Sequence, residues 1–114
     1  VLMADGCRVT GAAIIRSVVE VRSVIKAGAR IENSILMGAD YFVPEHLETH
    51  LPVMGIGRNV TVSRAIIDKN VRIGDGARIV NEAQRQHADG PGWAIRDGIV
   101  VVEKGAVIPP GAVI

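Results

Sequence analysis

The stretch "AIIDKNVRIGDGARI", residues 65–79, returns to an aliphatic side chain at Ile67, Ile73 and Ile79, six residues apart each time. An amphipathic helix repeats near 3.6 residues and a strand at two, so a period of six belongs to neither. It is the period of a solenoid, in which each unit buries its apolar face by stacking on the next. Outward from this stretch the anchors continue: Val19, Ile25 and Ile31, then Leu36, then Ile56 and Val62, and beyond it Val102, Ile108 and Ile114. Two positions before most anchors stands a small or branched residue, such as Ser17, Ser34, Ala65, Val71, Ala77 or Val100. Residues i and i−2 share one face of a strand, so each hexad reads as a short strand with two inward side chains, followed by a corner. Gly or Asn recurs at those corners (Gly28, Asn59, Asn70, Gly76, Gly105, Gly111), where a tight bend calls for positive φ.

The departures from six are themselves regular. Ile14 to Val19, Ile31 to Leu36 and Val62 to Ile67 are five-residue steps and mark one recurring corner. Closing a coil there predicts three short strands per coil and about four coils, with anchors 19, 25, 31; 36, 56, 62; 67, 73, 79; and 102, 108, 114. The expected fold is therefore an all-β, three-sided parallel β-helix in a single domain over residues 1–114. Two steps are too long for a hexad and predict inserted loops at about 38–55 and 81–98. These hold all three histidines and all three aromatics, and loops on a rigid scaffold are where function tends to sit. A β-sandwich of short strands is the competing architecture, but it gives no reason for a five-residue step at a constant corner.

Composition narrows the function classes. The chain has 114 residues, 48% hydrophobic and 22% charged, with a net charge of +1, as for one globular domain. Basic and acidic residues are interspersed, which argues against a nucleic-acid or membrane-surface partner, since both need a sustained basic excess. No apolar stretch is long enough to span a bilayer, and the first residues lack the pattern of a signal peptide, so the expected location is the cytoplasm. The lone Cys7 cannot form an internal disulfide and reads as a small buried hydrophobe.

The candidate site comes from the coil register. In "IDKN" (67–70) and "VEKG" (102–105) an inward aliphatic is followed by an acid and then by a lysine at a corner. Both anchors open a coil, so Lys69 and Lys104 should stack at equivalent corners of adjacent coils, about 4.8 Å apart at the backbone. Two stacked ammoniums repel, and a phosphate or carboxylate between them would reverse that repulsion. The alternative is that Asp68 and Glu103 neutralise them as solvated surface pairs. His46, His50 and His87 sit in the loops. Such residues serve as general bases in hexapeptide-repeat acyltransferases, and His46 with His50 could contribute to a weak metal site. Exposed loop histidines are the plainer reading. "GDG" at 74–76 is a corner, not a nucleotide loop, because no strand-to-helix context follows it.

Taken together, "VRSVIKAGARIENSILMGAD", "GIGRNVTVSRAIIDKNVRIGDGARI" and "GWAIRDGIVVVEKGAVIPPGAVI" resemble the C-terminal domain of glucose-1-phosphate adenylyltransferase (ADP-glucose pyrophosphorylase), in its cyanobacterial and plant-like branch. The resemblance implies a left-handed β-helix that regulates and helps to oligomerise an enzyme converting ATP and glucose 1-phosphate to ADP-glucose and pyrophosphate, in glycogen or starch biosynthesis. It assigns Lys69 and Lys104 to binding of an anionic activator, such as a sugar phosphate, 3-phosphoglycerate or phosphate. It places no catalytic residue and no metal ligand in this chain. It also implies a catalytic domain N-terminal to this one, Mg²⁺ in the full enzyme, a homo- or heterotetramer, and a plastid location if the source is a plant. The chain starts in mid-pattern without Met, reads as a partial C-terminal domain, and is expected to be inactive alone. A hexapeptide-repeat acyltransferase or a stand-alone structural scaffold is the alternative function.

Overall fold

A computed structural model describes residues 2–40 and 53–114. The chain winds as a stack of three-sided coils built from two- to four-residue strands. The first coil is β1 (Leu2–Met3), β2 (Arg8–Val9) and β3 (Ala13–Ile15), and the second is β4 (Val18–Val19), β5 (Val24–Ile25) and β6 (Arg30–Glu32). The third is β7 (Ile35–Leu36), β8 (Gly55–Ile56) and β9 (Thr61–Ser63), and the fourth is β10 (Ala65–Ile67), β11 (Arg72–Ile73) and β12 (Arg78–Ile79). A hairpin, β13 (His87–Gly90) with β14 (Trp93–Arg96), precedes the fifth coil, which has β15 (Ile99–Val102) and β16 (Val107–Ile108). Its third side is a single bridge between Val113 and Arg78. The described coils thus include one below those that the anchors outline, in which Val9 and Ile14 are half-buried against the core.

Strands at the same position of successive coils pair in parallel and form the three walls. The first wall runs β1-β4-β7-β10-β15-β14-β13, the second β16-β11-β8-β5-β2 and the third β12-β9-β6-β3. The register keeps anchor over anchor: Ile67 pairs with Leu36 on one side and Val102 on the other, and Ile73 with Ile56 and Ile108. Every anchor from Val19 to Ile108 is at most 4% exposed, and together they fill the axis of the prism. Each coil alone would leave this apolar row in water, so burial is gained only by stacking.

The corners bear out the glycine and asparagine reading, since Gly28, Asn59, Asn70, Gly76, Gly105 and Gly111 all have positive φ. At the five-residue corner one residue makes the turn, and there Arg16, Asn33 and Arg64 take φ of 46°, 48° and 53°. Arginine carries a Cβ and is uncommon in this region, so the geometry of the stack overrides local preference. Just inside this corner lies a buried serine ladder. The Ala65 N–H donates to Ser34 Oγ, whose hydroxyl donates to the Glu32 carbonyl, and the Ser34 N–H donates to Ser17 Oγ, whose hydroxyl donates to the Ile15 carbonyl. Each hydroxyl therefore supplies a donor and an acceptor where the left-handed turn displaces the backbone, which satisfies buried polar groups.

Between Asn81 and Gly98 the chain leaves from this same corner position, and the Asn81 amide ties the two ends together by donating to the Arg85 and Gly98 carbonyls. Within that stretch the hairpin turns at Pro91-Gly92, with Gly92 at φ 78°. Strand β14 then pairs antiparallel with β15. Trp93 faces inward opposite Gly90, where any side chain would strike the indole. The first wall consequently ends in antiparallel strands, not in a bare parallel edge.

Candidate functional site

Lys69 and Lys104 lie at the corner between the first and second walls. The residues stacked there, coil by coil, are Asp5, Val21, Gly38, Lys69 and Lys104. The backbone hydrogen bonds climb with them: Arg22 N–H to the Asp5 carbonyl, Ala39 to Val21, Asn70 to Gly38 and Gly105 to Lys69. The two lysines are thus equivalent residues of neighbouring coils, the relation that the five- and six-residue steps predict.

Between the ammoniums stands a carboxylate from a third coil. Lys69 Nζ is 3.4 Å from Asp40 Oδ1, and Lys104 Nζ is 3.4 Å from Asp40 Oδ2. The neighbouring acids do not fill this role. Asp68 turns its Oδ1 back to accept the Lys69 backbone N–H at 2.6 Å, and the ion pairs of both lysines among the described residues go to Asp40.

Asn70 fixes Asp40 in place. Its Oδ1 accepts the Asp40 backbone N–H at 2.9 Å, and its Nδ2 donates to Asp40 Oδ2 at 3.0 Å. The Asn70 hydrogen bond first, and then Lys104 and Lys69, hold the Asp40 carboxyl below its ordinary value of 3.8 against an opposing cost of desolvation. The corner is therefore arranged to favour negative charge. Gly38 lets the chain reach it, since a Cβ there would lie 2.0 Å from the Val21 carbonyl oxygen. Arg22 steadies the same turn by donating from Nε to the Ala39 carbonyl at 2.8 Å.

Sequence reading reached the two lysines but not Asp40. It lies 29 residues before Lys69, in "MGAD" at the edge of the first inserted loop, where the hexad register stops giving positions. The remaining candidates do not join the cluster. His87 is exposed on β13 with Nε2 3.8 Å from Asp97 Oδ1, while His46 and His50 lie outside the described residues. Cys7 is half-buried against the core, its Sγ 3.2 Å from the Glu20 carbonyl. Among the described residues no three or more His, Cys, Asp or Glu side chains are grouped so that they could hold a metal ion. A groove of about 370 Å³ opens at the next corner, lined by Lys26, Arg58, Asp75 and Pro110 over the glycines Gly57 and Gly74.

A three-sided stack of hexapeptide coils defines the class: this is a parallel β-helix domain. The family model described as "GLGC left-handed parallel beta-helix domain" matches residues 1–113, and the chain belongs to that family. It is 41% identical over 121 residues to the glucose-1-phosphate adenylyltransferase small subunit of Zea mays, covering 99% of this chain and 97% of that sequence. It is 43% identical over 120 residues to the chloroplastic/amyloplastic small subunit of Triticum aestivum, covering 99% of this chain but 25% of that protein. The chain thus spans about a quarter of the wheat relative's length. The family that the three quoted stretches resemble is therefore the one to which the chain belongs, and the left-handed winding comes with it.

Proposed function

We propose that this chain is the regulatory and subunit-contact domain of a glucose-1-phosphate adenylyltransferase, and that Lys69 and Lys104 contribute the cationic part of its activator site. The single observation that carries this reading is the carboxylate held between the two ammoniums, each oxygen facing one lysine. That is a seat for a small anion bearing at least two oxygens, such as a sugar phosphate, 3-phosphoglycerate or phosphate. The chemistry, ATP plus glucose 1-phosphate to ADP-glucose plus pyrophosphate in glycogen or starch synthesis, belongs to a catalytic domain outside these residues, where Mg²⁺ would also act. An effector on this corner works by shifting a conformational equilibrium toward the more active state.

Contact with that catalytic domain and with other subunits of a tetramer has support on the outer face of the first wall. Its outward row is Leu2, Val18, Ile35, Ile66, Val101 and Ala94, aliphatic across six strands, with Leu2 70% and Ile35 40% exposed. A continuous apolar row of this kind suits burial against another domain. The expected location is the cytoplasm, or a plastid for a plant source.

The test is an activator titration of the full-length enzyme. Lys69→Ala and Lys104→Ala should each raise half-maximal activation about tenfold or more while sparing most of the unactivated rate. Lys→Arg should restore only part of the response, because a fork is not a point charge. Half-maximal activation unchanged in both alanine variants would move the regulatory site elsewhere. Lys26, which also follows an anchor, shares a groove with Arg58, so Arg78, ion-paired to Glu82 on the third wall, is the cleaner control.

A further inference from the structure

We propose that Asp40 is an internal occupant of the anion seat, and that an effector binds by displacing its carboxylate from between Lys69 and Lys104. The proposal rests on the reading of those lysines as an effector site and adds what holds the site when no effector is there.

Three observations carry it. The contacts come from three successive coils, with Asp40 reaching up from the third to lysines on the fourth and fifth, so the carboxylate bridges the corner as a bound anion would. Both Nζ–O distances are 3.4 Å, longer than the 2.7–2.9 Å of a good charge-assisted hydrogen bond, so the seat is filled but not saturated. A tetrahedral anion, with more oxygens and free of the backbone, can approach both ammoniums more closely. The local charge count sets a preference. Two ammoniums with one carboxylate leave an excess of one positive charge, which a dianion in place of Asp40 cancels and a monoanion does not. Displacement thus favours sulfate- or phosphate-like dianions over chloride or acetate. It also frees the Asn70 Nδ2 donor, now spent on Asp40 Oδ2, for the incoming ligand.

Release of the Asp40 side chain gives up its contacts with Lys69, Lys104 and the Asn70 amide together. The seat then has two states that differ in what Asp40 holds, and this gives the effector a differential contact through which to shift an equilibrium.

The experiment is a sulfate titration of the chain by calorimetry at constant ionic strength, with wild type, Asp40→Asn, and Asp40→Asn combined with Lys69→Ala or with Lys104→Ala. Circular dichroism verifies that each variant is folded. Asp40→Asn should bind sulfate about tenfold or more tightly than wild type, because a competitor and its charge are gone. Its preference for sulfate over chloride should be undiminished, because the two ammoniums that set that preference remain, and either added lysine change should abolish the gain. If Asp40→Asn binds sulfate no more tightly while binding still depends on both lysines, the seat stands and displacement is overturned. If binding is indifferent to the lysines, or absent from both wild type and Asp40→Asn, the seat reading fails and takes this proposal with it.

Discussion

Replacing Ser34 by alanine tests the link between the winding of the coils and their stability. The side chain is 3% exposed, and its Oγ stands between the Ala65 N–H, which it accepts at 3.1 Å, and the Glu32 carbonyl, to which it donates at 2.7 Å. Deleting it leaves a buried N–H without its acceptor, which costs about 1–3 kcal/mol. The structure shows a partial escape one coil higher. There Ala65 occupies the equivalent place, and the Val100 N–H goes directly to the Arg64 carbonyl at 3.2 Å. A small backbone shift could let the Ala65 N–H find the Asn33 carbonyl in the same way, so the lower part of the range applies, about 1–2 kcal/mol. For a chain of this size that corresponds to a fall in melting temperature of about 4–8 °C. Thermal melts give the global figure. Hydrogen exchange at the Ala65 amide gives the local one, which should rise well before that of amides on the second wall. A variant as stable as wild type, with Ala65 equally protected, would show that the hydroxyl ladder is incidental and refute the reasoning.

Other outcomes follow from the same structure. Gly38→Ala places a Cβ 2.0 Å from the Val21 carbonyl oxygen at φ +81°, so it should cost about 3 kcal/mol in urea denaturation and loosen the lysine corner with it. Ile73→Ala, at a fully buried anchor of the second wall with a paired strand on either side, should cost about 2–5 kcal/mol by the same measurement. The Asp40 carboxyl titrates below 3.8 when folded, so whatever stability it contributes is present above its unfolded value and is lost as pH falls through the lowered one. Carbon NMR of that carboxyl should record the low value, and Asn70→Ala should raise it more than either lysine change, because the amide is the largest contributor. The chain alone should form no ADP-glucose from ATP and glucose 1-phosphate in a coupled pyrophosphate assay.

How much of this was legible in the sequence depends on what each residue answers to. Ile67 and Val102 answer to the period of the coil, and that period carried the reading to Lys69 and Lys104 two residues beyond. Asn59, Asn70 and Gly76 were legible because positive φ selects for them. Arg16, Arg22 and Arg64 turn corners of the same kind against their own preference, and only their place in the five- and six-residue steps gives them away. The hairpin has a signal of its own outside the period of six: Pro91-Gly92 is a turn pair, and Trp93-Ala94-Ile95-Arg96 alternates as a half-buried strand should. Asp40 was out of reach for a different reason. Its partners lie 29 and 64 residues away, on coils whose height relative to it is set by a loop of no fixed period.

The hairpin limits how copies of this domain can meet. A β-helix is a one-dimensional stack with two unlike ends, and joining the top of one copy to the bottom of the next would repeat without closing and draw the molecules into a filament. Strands β14 and β13 stand two strand spacings, about 10 Å, above β15 on one wall only. A flat-ended coil cannot sit flush on a surface with such a step, and the edge of β15 that it would need on that wall is already paired with β14. A flush head-to-tail joint is thereby disfavoured. The antiparallel turn inserted into a parallel solenoid thus removes, on that wall, the flat self-templating edge that a bare coil would offer.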